Sequence, residues 1–228
     1  VVFGAIIVAA IIVMTAISPW VVPYDPSKIN VGPLLSPPSF RFPFGTDDLG
    51  RDILSRVVSG GGIMLQVAVL SVVVCMMIGV PLGLFSSHTG GLTDRVFSLI
   101  MDSVYAFPGL ILAIAIALVL GRGVINMAFS IAVVYVPSYF RIIRSQVLSI
   151  KEMPYVGAAN AAGARKRTIL SRYILPNVVP SVVVVATVNF ADAILTAAGL
   201  TFLGLGLSPT IPDWGWDLTN GWHLLPSG

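Results

Sequence analysis

Charged residues are scarce in this chain of 228 residues: Asp, Glu, Lys and Arg make up 10%, while hydrophobic residues make up 56%. Soluble globular domains carry roughly 25% charged residues, so this composition excludes a soluble enzyme and an intrinsically disordered chain. A single cysteine, Cys75, excludes an internal disulfide and with it a disulfide scaffold. The net charge of +3 is too small to indicate nucleic-acid binding. A polytopic membrane protein is the class that remains.

Catalytic and phosphate-binding motifs are missing as well. The sequence has no Gly-Lys dipeptide, and hence no phosphate-binding P-loop, and it has no His-Glu-x-x-His metal motif. His88 and His223 stand alone in polar stretches, which is more typical of solvated or interface side chains than of metal ligands. We therefore expect no catalytic residue, no metal site and no cofactor in this chain.

Long windows without charged residues predict five membrane-spanning helices. They are residues 1–20, a span within 57–87, and residues 103–121, 123–140 and 173–206. Each window reaches the roughly 20 residues that a helix needs to cross the hydrocarbon core. None alternates polar and apolar residues as a strand of a lipid-facing barrel does. The predicted fold class is therefore all-α, a polytopic helical membrane protein.

The positions of Lys and Arg predict the orientation of these spans. Residues 141–172 hold seven basic residues and one acid, whereas residues 21–61 hold four of each. The positive-inside rule then places 141–172 and the N-terminus in the cytoplasm, and it places 21–61 and 207–228 on the outer side. Because five spans leave the C-terminus outside, we expect the full-length protein to continue past Gly228 with a sixth helix.

The outer segment 21–61 is predicted to contain an amphipathic helix. Thr46 would cap this helix, and Asp47 and Asp48 would lie in its first turn, where acids suit the helix dipole. Its charged face would pair internally at three- and four-residue spacing, through Asp48, Arg51, Asp52 and Arg56. Such a helix is either a lead-in to the second span or an outer platform beside a translocation path, and composition favours the lead-in.

The cytoplasmic segment 145–176 contains a run of small residues at 155–164. Its alanines favour a helix, and Gly163 can end one. A helix with almost no large side chains cannot build a core of its own, but it permits close approach by another surface. One interpretation is a docking helix for a cytoplasmic partner. The simpler one, which these residues alone favour, is a connector whose basic cluster contacts anionic lipid.

Five motifs follow one another along nearly the whole chain. They are FGTDDLGRDILSR at 44–56, Gly90-Gly91 with Asp94, Asp102 and Pro108, the segment 157–176, FLGLG at 202–206 and PDWG at 212–215. In this order they resemble the C-type permease subunits of bacterial dipeptide and oligopeptide ABC importers. Segment 157–176 is similar to the EAA loop of such permeases, although Gly157 stands at the glutamate position. Ala197 stands where the family often has an acid, and Asp192 lies one and a half turns earlier.

The resemblance implies a MetI-like importer-permease bundle, a single transmembrane domain over 1–228 in the bacterial cytoplasmic (inner) membrane, with no catalytic role. It implies a second homologous permease subunit, two cytoplasmic ATPase subunits that bind ATP and Mg, and an extracytoplasmic binding protein that delivers a peptide. ATP binding would rock the permeases between inward- and outward-facing states. The residues it implies at the ATPase contact are Tyr155, Gly157, Ala158, Ala159, Ala162 and Gly163.

Asp192 falls within the fifth predicted span, where an acid is costly and normally faces a partner or water. On a helix, Asn189, Asp192, Thr196 and Gly199 form one polar stripe. We expect this stripe, together with Asp102, to face the translocation path, where Asp192 would attract the amino group of a peptide. A structural hydrogen bond from Asp192 to a neighbouring helix is nearly as well supported.

Other interpretations stay open on the sequence alone. A secondary transporter would do its own ion coupling, but only Asp102 and Asp192 lie in or at the edge of a span, and no inverted repeat is obvious. An intramembrane enzyme or an assembly factor is a third class, and an enzyme lacks a His, a Cys pair or an acid pair inside the spans. Among importer permeases the substrate is open as well: dipeptides, longer peptides, glutathione or nickel chelates.

Overall fold

The computed structural model describes residues 2–225, and helices dominate it. The helices are α1 (Val2–Val21), α2 (Ile53–Thr89), α3 (Gly91–Tyr105), α4 (Gly109–Leu120), α5 (Val124–Ile150), α6 (Pro154–Ala161), α7 (Lys166–Thr168), α8 (Leu175–Phe202) and α9 (Trp214–Leu224). A π-helical segment, Ile169–Ile174, joins α7 directly to α8. Within residues 2–225 the only β-type pairing is an isolated bridge between Thr46 and Asp52. The all-α prediction is confirmed.

Four helical stretches are long and apolar enough to cross a membrane: α1, α2, α5 and the continuous stretch from α7 to the end of α8. The third predicted span, 103–121, is wrong as a single helix. α3 and α4 bend by 91° at the break between them, and they make a fifth span only if the bent pair is taken as one. Pro108 lies in the break. Proline has no N–H and disfavours helical geometry in the residue before it, so the helix ends at Tyr105.

The helix predicted to start at Asp47 begins six residues later, at Ile53. Its first turn is capped by Asp52, because Oδ2 of Asp52 accepts hydrogen bonds from the backbone N–H and the hydroxyl of Ser55, at 2.9 and 2.5 Å. The hydroxyl of Thr46 is used elsewhere: it donates to the carbonyl of Pro33 and accepts from the N–H of Ser36. Thr46 therefore ties down the proline-rich loop instead of capping a helix.

The described chain divides into two compact units. The first comprises residues 2–67, 117–127 and 194–225, and the second comprises 68–116 and 128–193.

The second unit has a continuous hydrophobic core. It is formed by Cys75, Leu84, Ala132, Val136, Tyr139, Ile143, Val147, Ile150, Val156, Ile169, Ile174, Val178 and Val182. Two glycines let α2 pack closely on α5: a Cβ at Gly79 would lie 2.6 Å from Cβ of Tyr139, and one at Gly83 would lie 2.9 Å from Cβ of Ile143. This is the small-residue packing by which membrane helices approach each other.

The first unit holds α9, a helix that the sequence analysis does not predict. Asp213 caps it, accepting hydrogen bonds from the N–H groups of Gly215 and Trp216 at 2.8 and 3.2 Å. Gly215 presses on the end of α8, because a Cβ there would lie 2.2 Å from the carbonyl oxygen of Ala198. The indole N–H of Trp214 donates to the carbonyl of Val57 at 2.8 Å, which joins α9 to the start of α2.

Candidate functional site

The run of small residues forms a short helix, α6, which Gly163 terminates from just beyond its last residue, as predicted. The N–H of Gly163 donates to Asn160 and the N–H of Ala164 donates to Ala159, both at 3.0 Å. This pair of bonds, with φ of +77° at Gly163, is a Schellman motif. Glycine suits the position because the left-handed conformation strains other residues.

α6 buries one face in the core of its own unit and exposes the other. Val156 and Ala159 are 1% and 8% exposed. Ala159, predicted at a partner contact, therefore faces its own chain. The other predicted contact residues are exposed: Tyr155, Gly157, Ala158, Ala162 and Gly163. At about 100° per residue, Ala158 lies on the side of α6 opposite to the buried pair.

Exposed basic residues flank α6 along the chain. Lys151, Arg165, Lys166, Arg167 and Arg172 are all exposed. None of them belongs to an ion pair found within residues 2–225. The surroundings of α6 are therefore suited to an acidic or anionic surface.

A polar cleft of about 290 Å³ lies within the second unit. It is lined by Val104, Tyr105, Phe107, Gly109, Val134, Tyr135, Ser138, Asn189 and Asp192. The break between α3 and α4 forms one wall, α5 forms another, and α8 contributes Asn189 and Asp192. The predicted polar stripe therefore runs along this cleft at two of its four positions.

Asp192 is half-buried, and within residues 2–225 its carboxylate has neither an ion pair nor a hydrogen bond. Asn189 is 6% exposed, and its Nδ2 has no hydrogen-bond partner in the same range. Thr196 is half-buried one turn beyond Asp192 on α8 and does not line the cleft. An adjacent side of α8 is exposed and apolar at Val184, Val188 and Leu195, as expected for contact with lipid or another helix.

Asp102 lies away from the cleft lining. It pairs with Arg141 at 2.8 Å, and both side chains are more than half exposed. The guanidinium of Arg141 also lies over the ring of Tyr105, 4.3 Å from its centroid. Arg141 therefore links Asp102 to Tyr105, which lines the cleft, and the expectation that Asp102 faces the translocation path stays a prediction.

A second ion pair ties three helices of the same unit together. Arg144 on α5 binds Asp94 on α3 in a bidentate manner, at 2.7 and 2.6 Å. The hydroxyl of Ser86 on α2 donates to Oδ1 of the same carboxylate at 2.9 Å. This arrangement fixes the start of α3, so the Asp94 of the sequence motif has a structural role.

The motif at 44–56 is joined to residues 211–220 within the first unit, mainly by charged side chains. Arg56, 1% exposed, binds Asp217 at 2.7 Å and donates to the carbonyls of Pro26 and Ile211. Arg51 pairs with Asp47 at 2.6 Å, and Asp48 accepts a hydrogen bond from Asn220 at 2.6 Å. The predicted pairing among Asp48, Arg51, Asp52 and Arg56 is therefore wrong, since each of them finds a different partner.

Burial acts on the acids of this network. It raises the pKa of Asp217 above its ordinary value, and the guanidinium of Arg56 opposes that rise. Burial likewise raises the pKa of Asp213, against the hydrogen bonds that it accepts at the start of α9. For both carboxyls burial favours the neutral form, while their hydrogen-bond and ion-pair partners favour the charged form.

Sequence reasoning missed the aromatic and hydroxyl side chains of the cleft. Tyr135 and Ser138 lie three residues apart in an apolar span, so they share a helix face. That spacing is a usable signal for a polar lining. Tyr105 and Phe107 carry no such signal, because the bend at Pro108 brings them to the cleft.

Comparison with protein families gives one match that covers most of the chain. Residues 79–227 match the family described as "Binding-protein-dependent transport system inner membrane component".

Curated relatives match over a longer range. A di/tripeptide transport system permease protein of Pseudomonas aeruginosa is 40% identical over 95% of this chain and 74% of its own length. A glutathione transport system permease protein of Pectobacterium atrosepticum is 41% identical over 84% of this chain and 62% of its own length. A dipeptide transport system permease protein of Alkalihalophilus pseudofirmus is 38% identical over 98% of this chain and 74% of its own length.

Among solved structures, an inward-facing form of the MetNI methionine ABC transporter has a similar fold. The TM-score is 0.60 at 19% sequence identity, over 68% of this chain and 77% of that one. At this identity the likeness concerns the fold, and it agrees with the MetI-like bundle expected from the sequence.

Proposed function

The chain belongs to the family of binding-protein-dependent transport system inner membrane components, and from this premise we propose that it is a permease subunit of an ATP-driven importer of small peptides. The observation that carries the proposal is the identity of 40% and 41% to permeases named for di/tripeptides and for glutathione. Glutathione is itself a tripeptide, so both names describe one class of substrate. Family membership favours this function over a secondary transporter or an intramembrane enzyme.

In this proposal the chain performs no chemistry. Two cytoplasmic ATPase subunits bind ATP and Mg, an extracytoplasmic binding protein selects the peptide, and a second homologous permease forms the other half of the path. The exposed surface of α1 is consistent with further partners in the membrane. Only 6% of the residues in its most apolar stretch are buried within the chain. Exposed apolar helix surface needs lipid or another helix.

α6 is the part of the chain that we assign to the ATPase contact. Its outward face is made of small residues around Ala158, and such a face lets a partner approach the helix backbone closely. The exposed basic residues beside it would complement an acidic rim on the partner. The helix is anchored by Val156 and Ala159 in the core of the second unit, so a push on α6 is transmitted to that core.

The protein is an inner membrane component, and we propose that its N-terminus and α6 lie on the cytoplasmic side. The basic residues of 141–172 support this orientation through the positive-inside rule. A cysteine at Ser171 that reacts with a membrane-impermeant thiol reagent only in inside-out vesicles would agree with it. Reaction only in intact spheroplasts would reverse it.

The docking assignment is tested by adding bulk to α6 in the full complex. Ala158→Leu should weaken co-purification of the ATPase subunits and abolish most ATP-dependent peptide uptake, while membrane insertion persists. Gly163→Trp should do the same, because a side chain at φ +77° strains the turn. Ala159→Leu is a different experiment, since it overpacks the chain's own core.

Ala191→Leu is the matched control, because it makes the same substitution at an exposed position of α8. It should leave ATPase co-purification and uptake unchanged. If Ala158→Leu behaves like Ala191→Leu in both assays, α6 does not dock the ATPase.

A further inference from the structure

Asp192 is a carboxylate inside an apolar helix, and none of the ion pairs found within residues 2–225 includes it. Within residues 2–225 it makes no ion pair and no hydrogen bond, yet it faces a cleft of about 290 Å³ instead of packed side chains. A charge at this depth is retained where it meets a charge of opposite sign or water. We propose that the cleft binds the free amino terminus of a peptide in transit, with Asp192 receiving the ammonium group.

The walls of the cleft fit an ammonium group. Phe107 and Tyr135 present aromatic rings, and ring faces attract cations, whereas the ring of Tyr105 already holds the guanidinium of Arg141. Ser138 adds a hydroxyl that accepts a hydrogen bond. An ammonium group has three N–H donors, so a carboxylate, a hydroxyl and a ring face together satisfy it.

Asn189 supplies the second half of the recognition. Its side chain is only 6% exposed, and its Nδ2 makes no close hydrogen bond within the described range. The polar group beside it is the buried hydroxyl of Tyr139. Asn189 lies three residues before Asp192 on the same face of α8. Nδ2 carries two N–H donors, so one can meet Tyr139 while the other donates to the first carbonyl of a peptide whose amino group is held by Asp192.

The size of the cleft limits what it holds. Pockets that enclose a drug-sized ligand measure roughly 300–1,000 Å³, and this cleft is at the lower edge of that range. It therefore takes the amino-terminal residue and leaves the rest of the peptide outside. Recognition of that one end allows di- and tripeptides to share the site, and this substrate class rests on the proposed importer function.

The test uses a cysteine placed in the cleft of the assembled importer in proteoliposomes. Ser138→Cys is made in a Cys75→Ser background, so that the new thiol is the only one in this chain. The rate at which a cationic thiosulfonate reagent modifies this thiol is compared with the rate for an anionic thiosulfonate reagent. Modification is followed as the increase in mass of this chain. We expect the cationic reagent to react about tenfold faster, the ratio that about 1.4 kcal/mol of attraction gives.

Adding Asp192→Asn should bring the two rates close together. Free-amine dialanine should slow modification of Ser138→Cys, whereas N-acetyl-dialanine should not. Thr187→Val, on the exposed face of α8, is the control and should leave the rate ratio unchanged. If Asp192→Asn prevents assembly, the variant that carries only Ser138→Cys and Cys75→Ser still tests the proposal. Its ratio of reagent rates and its protection by dialanine are then the deciding measurements.

Equal rates for the two reagents, or equal protection by both peptides, would overturn the proposal. Assembly loss in Asp192→Asn together with no protection by dialanine would assign Asp192 to a contact with the second permease instead. ATP-dependent uptake is measured in parallel. Uptake without selective protection refutes the amino-terminal site and leaves the importer function standing, and absence of uptake by the unsubstituted complex refutes the function itself.

Discussion

Replacing Arg56 with methionine removes the charge that joins the loop before α2 to α9. Arg56 is 1% exposed, whereas Asp217 is 23% exposed. Removing one member of a buried ion pair costs about 3–5 kcal/mol, because the other charge is left buried and unpaired. The partial exposure of Asp217 places Arg56→Met near the lower end, about 3 kcal/mol. The carbonyls of Pro26 and Ile211 lose a donor in the same step.

Limited trypsin digestion of the purified protein reports this loss locally. Lys28 and Arg41 are exposed residues of the loop that Arg56 holds. Where the opened loop recloses faster than trypsin cuts it, the cleavage rate follows the population of the opened loop. A loss of about 3 kcal/mol in the stability of the closed loop then raises the cleavage rate roughly a hundredfold. Arg141→Met is the control, because an ion pair as exposed as Arg141 and Asp102 contributes about 0–1 kcal/mol. Equal cleavage rates in Arg56→Met and wild type would refute the buried-pair account.

The loss of stability in Arg56→Met relative to wild type should become smaller as the pH is lowered from 7. Burial raises the pKa of Asp217 and Arg56 opposes it, so without Arg56 the folded-state pKa of Asp217 rises further. A carboxyl whose folded pKa exceeds its unfolded pKa destabilises the fold above the folded value, and that penalty disappears as pH falls to the unfolded value. Thermal unfolding of Arg56→Met against wild type at pH 5 and 7 measures this trend. A deficit that widens at pH 5 would contradict it.

Three further substitutions follow from contacts in the structure, each measured as thermal unfolding in detergent. Asp94→Asn should cost about 1–3 kcal/mol, because it leaves the guanidinium of Arg144 without its carboxylate; an unchanged melting temperature would contradict this. Gly79→Leu should cost about 1–3 kcal/mol or prevent folding, because the added side chain meets Tyr139. Asp213→Ala should cost about 1 kcal/mol through loss of the α9 cap, and Asp213→Asn should recover most of it.

Hydropathy and backbone chemistry were enough to predict several elements. Charge-free windows located the long apolar helices, and the alanine run with Gly163 located α6 and its end. These features depend on neighbours in sequence, since the 3.6-residue period and the left-handed glycine are local properties. The position of Ala159 on the buried face is not local, because it depends on the core against which α6 packs.

The break at Pro108 was not predictable from proline alone. Pro81 and Pro137 also lie in apolar spans, and α2 and α5 continue through both. Membrane helices tolerate proline where neighbouring groups satisfy the freed carbonyls. Which proline breaks a span is therefore decided by tertiary packing.

Long-range partners were beyond sequence reasoning for the same reason. Arg56 and Asp217 are separated by 161 residues, so the helical spacing rule assigned Arg56 to wrong, nearby partners. The stripe of Asn189 and Asp192 was found from its period, whereas Tyr105, opposite it, is placed by the bend between α3 and α4.

ATP-dependent peptide uptake by the reconstituted complex tests the central claim most directly. Proteoliposomes would contain this chain in full length with its second permease and ATPase subunits, and the binding protein would be added outside with a radiolabelled di- or tripeptide. The account predicts accumulation that requires ATP inside and the binding protein outside, and that Ala158→Leu abolishes. Accumulation driven by an ion gradient without ATP, or none with every subunit present, would contradict it.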